Sequence, residues 1–179
     1  MTIPSKLLTF TLVFLGIIGL AFGIFFSGST AVQANANLSG VQVTPRPTPD
    51  FTFLENWLKR EQIALANQAE RLKLSNQAIS TAQQFIDNQK AAGKDTSVLE
   101  AALAAFSKAV SDTQALHDTA ANILAAHAGY NADGKVTDAK QALVTLHNAG
   151  LPMREAHLKI TQATLDFRQS LRAYLQANQ

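Results

Sequence analysis

Residues 52–93 read TFLENWLKREQIALANQAERLKLSNQAISTAQQFIDNQKAAG. Large aliphatic side chains recur in this stretch at every seventh position, which is a spacing that keeps one face of an α-helix apolar. Gly93 marks its end, because glycine commonly follows the last turn of a helix. The pattern predicts one helix of about 40 residues. The repeating positions are Leu58, Leu65, Leu72, Ile79 and Ile86.

Three polar residues share the inward phase of this first helix: Glu61, Gln68 and Ser75. A polar residue inside a helical bundle needs a partner and often fixes the register of the helices. From its level along the bundle, we expect Glu61 to lie near His127 and to form an ion pair with it.

Two further helical segments follow. The second begins near Ser97 and stops at Gly129, and the third begins after Thr137 and runs to the end of the chain. Capping residues are expected at Thr52, Ser97 and Thr137, and Thr48 followed by Pro49 is a competing start of the first helix. The apolar positions of the second segment are Leu99, Leu103, Phe106, Val110, Thr113, Leu116, Ala120, Ile123 and Leu124. Those of the third are Ala139, Leu143, Leu146, Gly150, Met153, Ile160, Thr164, Phe167, Leu171 and Tyr174.

Pro152 lies inside the third segment, where it removes one backbone hydrogen bond and clashes with the carbonyl of Asn148. The seven-residue phase is the same on both sides, so we expect a kink in one helix. Two helices separated by a true break are the alternative. The predicted fold class is all-α: an elongated antiparallel three-helix bundle over residues 51–179, kinked near Pro152.

An uncharged stretch from Leu7 to Pro45 precedes this bundle, and its first part, Leu7 to Phe26, is almost wholly apolar. As a helix this part reaches about 30 Å, the thickness of the hydrocarbon core of a bilayer. We assign residues 1–36 to a signal peptide, with small residues through Ala36 as the cleavage region, or to a retained signal anchor. In either case the body lies outside the cytoplasm.

Residues 37–50 predict a Pro-rich linker, since Pro45, Pro47 and Pro49 alternate with other residues and favour extended backbone. It is either a spacer between membrane and body or the free N-terminus left after cleavage.

Charge and composition exclude several function classes. The chain has 15 Lys and Arg against 13 Asp and Glu, and these are dispersed, which argues against nucleic-acid binding. It has no Cys, which excludes disulfides, thiolate metal sites and a cysteine nucleophile. No phosphate loop, catalytic triad or cofactor fingerprint is present, so we expect neither an enzyme nor a bound cofactor.

Two motifs suggest metal binding. His117 and His147 are expected at the same level of two antiparallel helices, where they would ligate Zn²⁺ or Cu²⁺. The loop of residues 129–140 resembles a calcium-binding EF-hand loop in outline, with Asn131 and Asp133 at ligand positions and Gly134 at the turn. Gly129 and Lys140 occupy its two essential acidic positions, so an ordinary turn between helices is the alternative.

A second apolar stripe runs along the third helix at Val144, Leu151, Leu158 and Leu165. It is either core, because a helix with two neighbours needs a wide apolar arc, or a candidate face for a partner or a homodimer.

In outline, a Cys-free extracytoplasmic helical body resembles small periplasmic chaperones and stress-response proteins of the bacterial envelope. The L-T-x-x-Q element of one such group is matched only in part by residues 79–83, Ile-Ser-Thr-Ala-Gln. We therefore expect a non-enzymatic binding, scaffolding or chaperone-like module of the cell envelope. Its partners are proteins or a second copy, together with the membrane if Leu7 to Phe26 is retained. The alternative is a periplasmic metal-binding protein that uses His117 and His147.

Overall fold

A computed structural model of the chain describes residues 50–178. Its three helices pack against one another, and the described residues contain no strand beyond one isolated bridge in a loop. The predicted all-α bundle is therefore confirmed. The helices are α1 (Thr52–Ala91), α2 (Ser97–Ala125) and α3 (Ala139–Ala177).

The signal or anchor of residues 1–36 lies outside the described residues, as does the linker apart from Asp50. Between residues 50 and 178, no helix has an apolar segment that is long enough to cross a membrane.

Contacts between the helices give their directions. α2 runs opposite to both of its neighbours, whereas α1 and α3 run the same way, so Asp50 and the α2–α3 loop lie at the same end. The contacts are Lys90–Glu100 and Gln68–His117 between α1 and α2, Asp112–Lys159 and Phe106–Phe167 between α2 and α3, and Gln68–Met153 and Phe85–Tyr174 between α1 and α3.

α3 passes through Pro152 as one helix of 39 residues. The expectation of a single helix is therefore confirmed, and the alternative of two helices is not what the chain adopts. The bend that we expect at Pro152 stays a prediction.

Aspartates, rather than the expected hydroxyl residues, accept the first backbone N–H groups of each helix. Asp50, Asp95 and Asp138 accept from the N–H groups of Thr52, Ser97 and Gln141 at 2.9, 3.0 and 3.0 Å. The predicted caps at Thr52, Ser97 and Thr137 are wrong, because a nearby carboxylate is the better acceptor at the positive end of a helix.

The core consists of two apolar clusters, one at each end of the bundle. One surrounds Phe85 near the α1–α2 turn, and the other surrounds Leu58 near the α2–α3 loop. Gln68 lies between them and is 8% exposed, so its predicted inward position is confirmed. We call Gln68 and its neighbour His117 the polar layer.

α3 packs into the bundle mainly through small residues in its first half. Ala142, Ala149 and Ala156 are each 0% exposed, whereas Leu143, which we expected in the core, is 49% exposed. Small side chains allow the helices to approach closely, which large aliphatic residues at the same positions would prevent. The expectation for Leu143 is therefore wrong.

Candidate functional site

The outer face of α3 is a line of four aliphatic side chains: Val144, Leu151, Leu158 and Leu165. They are exposed by 42%, 57%, 59% and 42%. At 3.6 residues per turn, they lie nearly opposite the buried Met153 and Ile160 on the same helix. The interpretation of this stripe as core is therefore wrong, because the described part of the chain leaves it open to solvent.

Two opposite charges flank the middle of the outer face. Arg154 and Glu155 are consecutive, so the turn of the helix places them on opposite sides of the line from Leu151 to Leu158. Both are exposed. Neither forms an ion pair with another described residue. Between Leu151 and Leu158, one edge of this apolar line therefore carries a positive charge and the other a negative charge, and Lys140 and Arg168 add positive charge to the Arg154 edge at the two ends of the line.

An open groove of about 620 Å³ lies between α2 and α3 beside the outer face. It is lined by Phe106 and Phe167, whose stacked rings are 5.3 Å apart, and by alanines of α2. Leu158 also lines the groove, so groove and outer face are continuous. The apolar surface on this side is therefore wider than a single helix.

His117 and His147, the predicted metal ligands, have different surroundings. Nδ1 of the half-buried His117 lies 3.1 Å from Oε1 of Gln68. His147 is exposed, with Nδ1 3.5 Å from Oδ1 of Asn148. The contacts between α2 and α3 place His117 level with about residue 155, which is about 12 Å further along the axis than His147.

Among residues 50–178, no group of three or more His, Asp or Glu side chains is arranged to hold a metal ion. Metal binding by His117 and His147 stays a prediction. Titration of the chain with Zn²⁺ beside a His147→Ala variant tests it.

The predicted ion pair between Glu61 and His127 is wrong. None of the ion pairs in the described region joins these two residues. Oε1 of Glu61 accepts from the indole N–H of Trp57 at 2.8 Å, one turn earlier on α1. His127 lies just past the end of α2 with a φ of 48°, and its Nδ1 lies 3.1 Å from the carbonyl oxygen of Ala125.

The loop from α2 to α3 is closed by its own hydrogen bonds. α2 ends at Ala125, earlier than the predicted Gly129, and the carbonyl of Gly129 accepts from the N–H groups of Thr137 and Asp138. Oδ1 of Asn131, an expected EF-hand ligand, accepts from two backbone N–H groups at 3.0 and 2.9 Å. Both lone pairs of that oxygen are therefore in use. This geometry favours the interpretation as a turn.

The same loop is tied to the start of α1. Nζ of Lys135 lies 2.7 Å from Oε2 of Glu55, and its hydrogen bond holds the pKa of that carboxyl below the ordinary value. The hydroxyl of the buried Tyr130 donates to the carbonyl of Leu54 at 3.2 Å, and burial raises the pKa of Tyr130.

A contact between α1 and α3 was not predicted. Nη1 of Arg71 donates to Nδ1 of His157 at 2.8 Å, and Nη2 donates to Oγ1 of Thr161 at 3.5 Å. His157 is exposed, and the partial desolvation of its ring, followed by the charge of Arg71, lowers its pKa. The spacing of His157 and Thr161 places them on one side of α3, but only the register of the helices brings Arg71 to them.

Comparisons with family models, curated proteins and solved structures find no match to this chain. Its function is therefore argued from its own residues.

Proposed function

We propose that this chain is an extracytoplasmic protein of the cell envelope whose helical body is a non-enzymatic binding, scaffolding or chaperone-like module. The observation that carries the proposal is the outer face of α3, with four aligned aliphatic side chains exposed by 42–59%. Single exposed leucines are ordinary on protein surfaces, whereas a regular line of them along one helix supports a contact with another molecule.

The proposed architecture is an elongated antiparallel bundle, kinked near Pro152, that follows a signal peptide or anchor and a Pro-rich spacer. The uncharged apolar run Leu7 to Phe26 supports a location outside the cytoplasm. The absence of Cys from the sequence is compatible with an oxidising compartment, where a free thiol would react.

The polar contacts of the body support binding over catalysis, because they join one element to another. Lys135 and Glu55 tie the loop to α1, and Lys159 and Asp112 tie α3 to α2. These pairs lie at the surface, where solvent screening leaves an ion pair little effect on stability, so they mainly position their helices. The outer face, by contrast, is tied to no other element within residues 50–178 and is open to a partner.

The location outside the cytoplasm is tested with the full chain expressed in a bacterial host. We expect protease added to spheroplasts to digest the body, and intact mass with membrane fractionation to distinguish a cleaved chain from an anchored one. If the helical body resists the protease until the inner membrane is lysed, the location outside the cytoplasm is contradicted.

The binding role is tested with a photo-cross-linking amino acid at the exposed Gln162, next to the outer face, and at the exposed Gln84 of α1 as the control position. We expect a cross-linked complex from Gln162 that is lost when Leu151→Glu and Leu158→Glu are added. If Gln162 and Gln84 give the same products, or if the two substitutions change nothing, the outer face is not the binding surface.

A further inference from the structure

The outer face of α3 has the pattern of a helix that meets an identical helix. We propose that the chain forms a parallel, two-fold symmetric dimer in which the outer faces of two α3 helices pack against each other in register. This inference rests on the proposed function, because it names a second copy of the chain as the partner of the same face.

The spacing of the outer face is the first argument. Val144, Leu151, Leu158 and Leu165 repeat at a strict interval of seven, and this line extends over about 33 Å of helix. A strict seven-residue repeat at one position of the heptad keeps this line facing a second helix as the two coil around each other with a left-handed twist. In register, each of the four side chains meets its own copy across the two-fold axis.

The charges beside the face decide the direction. A two-fold axis parallel to the helices brings the Arg154 side of one α3 against the Glu155 side of the other, and it does so on both edges of the contact. An antiparallel pair instead brings Arg154 against Arg154 and Glu155 against Glu155. Opposite charges across the seam select the parallel arrangement, as they do in coiled coils.

The position of Asp50 agrees with this direction. α1 and α3 run the same way, so the start of α3 and the start of the described chain lie at one end of the bundle. A parallel dimer keeps both copies of Asp50 at that end. Two chains that are anchored in one bilayer favour this arrangement, because an antiparallel pair places the two copies of Asp50 at opposite ends.

The size of the contact sets the expected strength. A strip of about 33 Å by about 10 Å covers roughly 330 Å² on each copy. A standard interface covers about 800 Å² on each partner, so we expect a weak dimer in dilute solution. Anchoring both chains in one membrane raises their effective concentration and favours the dimer there.

The first test uses the absence of Cys from the chain. Val144→Cys and Leu165→Cys are placed singly in the full chain, with Gln84→Cys as the control. The cell fraction, membrane or soluble, that contains the protein is then oxidised with copper phenanthroline. A disulfide needs Cα atoms within about 7 Å. In the parallel dimer each introduced Cys meets its copy, whereas an antiparallel pair centred on the face separates the two copies of residue 165 by roughly 31 Å.

We expect both outer-face variants to give a disulfide-linked dimer in at least tenfold higher yield than Gln84→Cys. Equal yields at all three positions overturn the dimer. Cross-links that form only between Val144→Cys in one chain and Leu165→Cys in another, when the two variants are co-expressed, overturn the parallel direction.

The second test reverses the flanking charges in the Leu165→Cys background. Arg154→Glu alone and Glu155→Arg alone each place two like charges across both edges, so each should lower the dimer yield roughly tenfold. The two substitutions together restore opposite charges and should restore the yield. Circular dichroism checks that each variant keeps its helices. Equal losses in all three variants contradict the charge pairing.

The outcomes separate this inference from the proposed function. A complex at Gln162 that depends on Leu151 and Leu158 but contains a different protein or lipid, together with no disulfide dimer, overturns the second copy as partner and leaves a binding module. Absence of any complex that depends on these leucines overturns both.

Discussion

The side-chain amide of Gln68 connects His117 to the backbone of a third helix. Its Oε1 lies 3.1 Å from Nδ1 of His117, and its Nε2 donates to the carbonyl of Met153 at 3.3 Å. Because the amide oxygen only accepts, Nδ1 of His117 carries the proton in this arrangement. One buried side chain thus contacts all three helices at the level between the two apolar clusters.

Gln68→Ala should destabilise the bundle by about 2 kcal/mol, because it leaves Nδ1 of His117 without its partner and removes the hydrogen bond to the carbonyl of Met153. The exposed Gln62 on the same helix is the matched control, and Gln62→Ala should change stability by less than about 0.5 kcal/mol. Urea unfolding of both variants measures the difference. Equal effects would show that the polar layer contributes no stability.

Tyr174→Phe should stabilise the chain by about 1 kcal/mol. The hydroxyl of Tyr174 is buried and has no hydrogen-bond partner among the described residues, so it carries a desolvation cost that phenylalanine removes. The edge-to-face contact with Phe85, with ring centroids 6.2 Å apart, is retained. Thermal unfolding measures the change, and a lower midpoint would show that the hydroxyl has a partner in solution.

Two glycines should respond in opposite directions to the same substitution. Gly129 has a φ of 88°, and an added Cβ would lie 2.2 Å from the backbone nitrogen of Ala142, so Gly129→Ala should cost at least about 3 kcal/mol. Gly150 lies within α3, and a Cβ added there would have no neighbouring atom within 4 Å. Gly150→Ala should therefore raise the free energy of unfolding by about 1 kcal/mol. Chemical denaturation of both variants tests the pair, and a loss at Gly150 would contradict the open space described there.

His157 should make the bundle less stable in mild acid. Its pKa in the folded chain lies below the ordinary value of 6.5, because of the partial desolvation of its ring and the Arg71 guanidinium, so the unfolded chain takes up this proton first as the pH falls. The stabilising contribution is complete above pH 6.5 and is lost as the pH falls through the folded pKa. His157→Gln should flatten the stability profile below pH 6.5, whereas Gln84→Ala should not. Parallel profiles for all three proteins would contradict this role.

The helices were predictable from the sequence because their apolar spacing is regular and their turns contain glycine. Most predicted inward positions of α1 and α2 are buried or half-buried, and Gln68 was among them. α3 was harder, because its first half packs through Ala142, Ala149 and Ala156. Alanine is common on both faces of a helix, so its position indicates little until the neighbouring helix is known.

Contacts between helices could not be predicted at the same level of detail. The predicted levels of His117 and His147 assumed a loop centred near Gly134, but the contacts of α2 and α3 place the pair about 12 Å apart along the axis. The Arg71–His157 contact depends on the same register. For the candidate partner face, the residues were predictable, whereas the choice between core and surface needed the position of the other helices.

The apolar repeat of α1 brings one further consequence for the polar layer. A pattern that recurs every seven residues looks nearly the same after α1 slides by two turns, about 10 Å, so hydrophobic burial alone distinguishes poorly between the two alignments. Such a slide would place Glu61 or Ser75 where Gln68 now lies. A carboxylate only accepts hydrogen bonds, and the hydroxyl of serine is two bonds shorter than the amide of glutamine, so neither replaces the contacts of Gln68 with His117 and Met153. Gln68 therefore fixes the alignment of α1 against the other two helices, which the repeating apolar pattern of α1 leaves ambiguous.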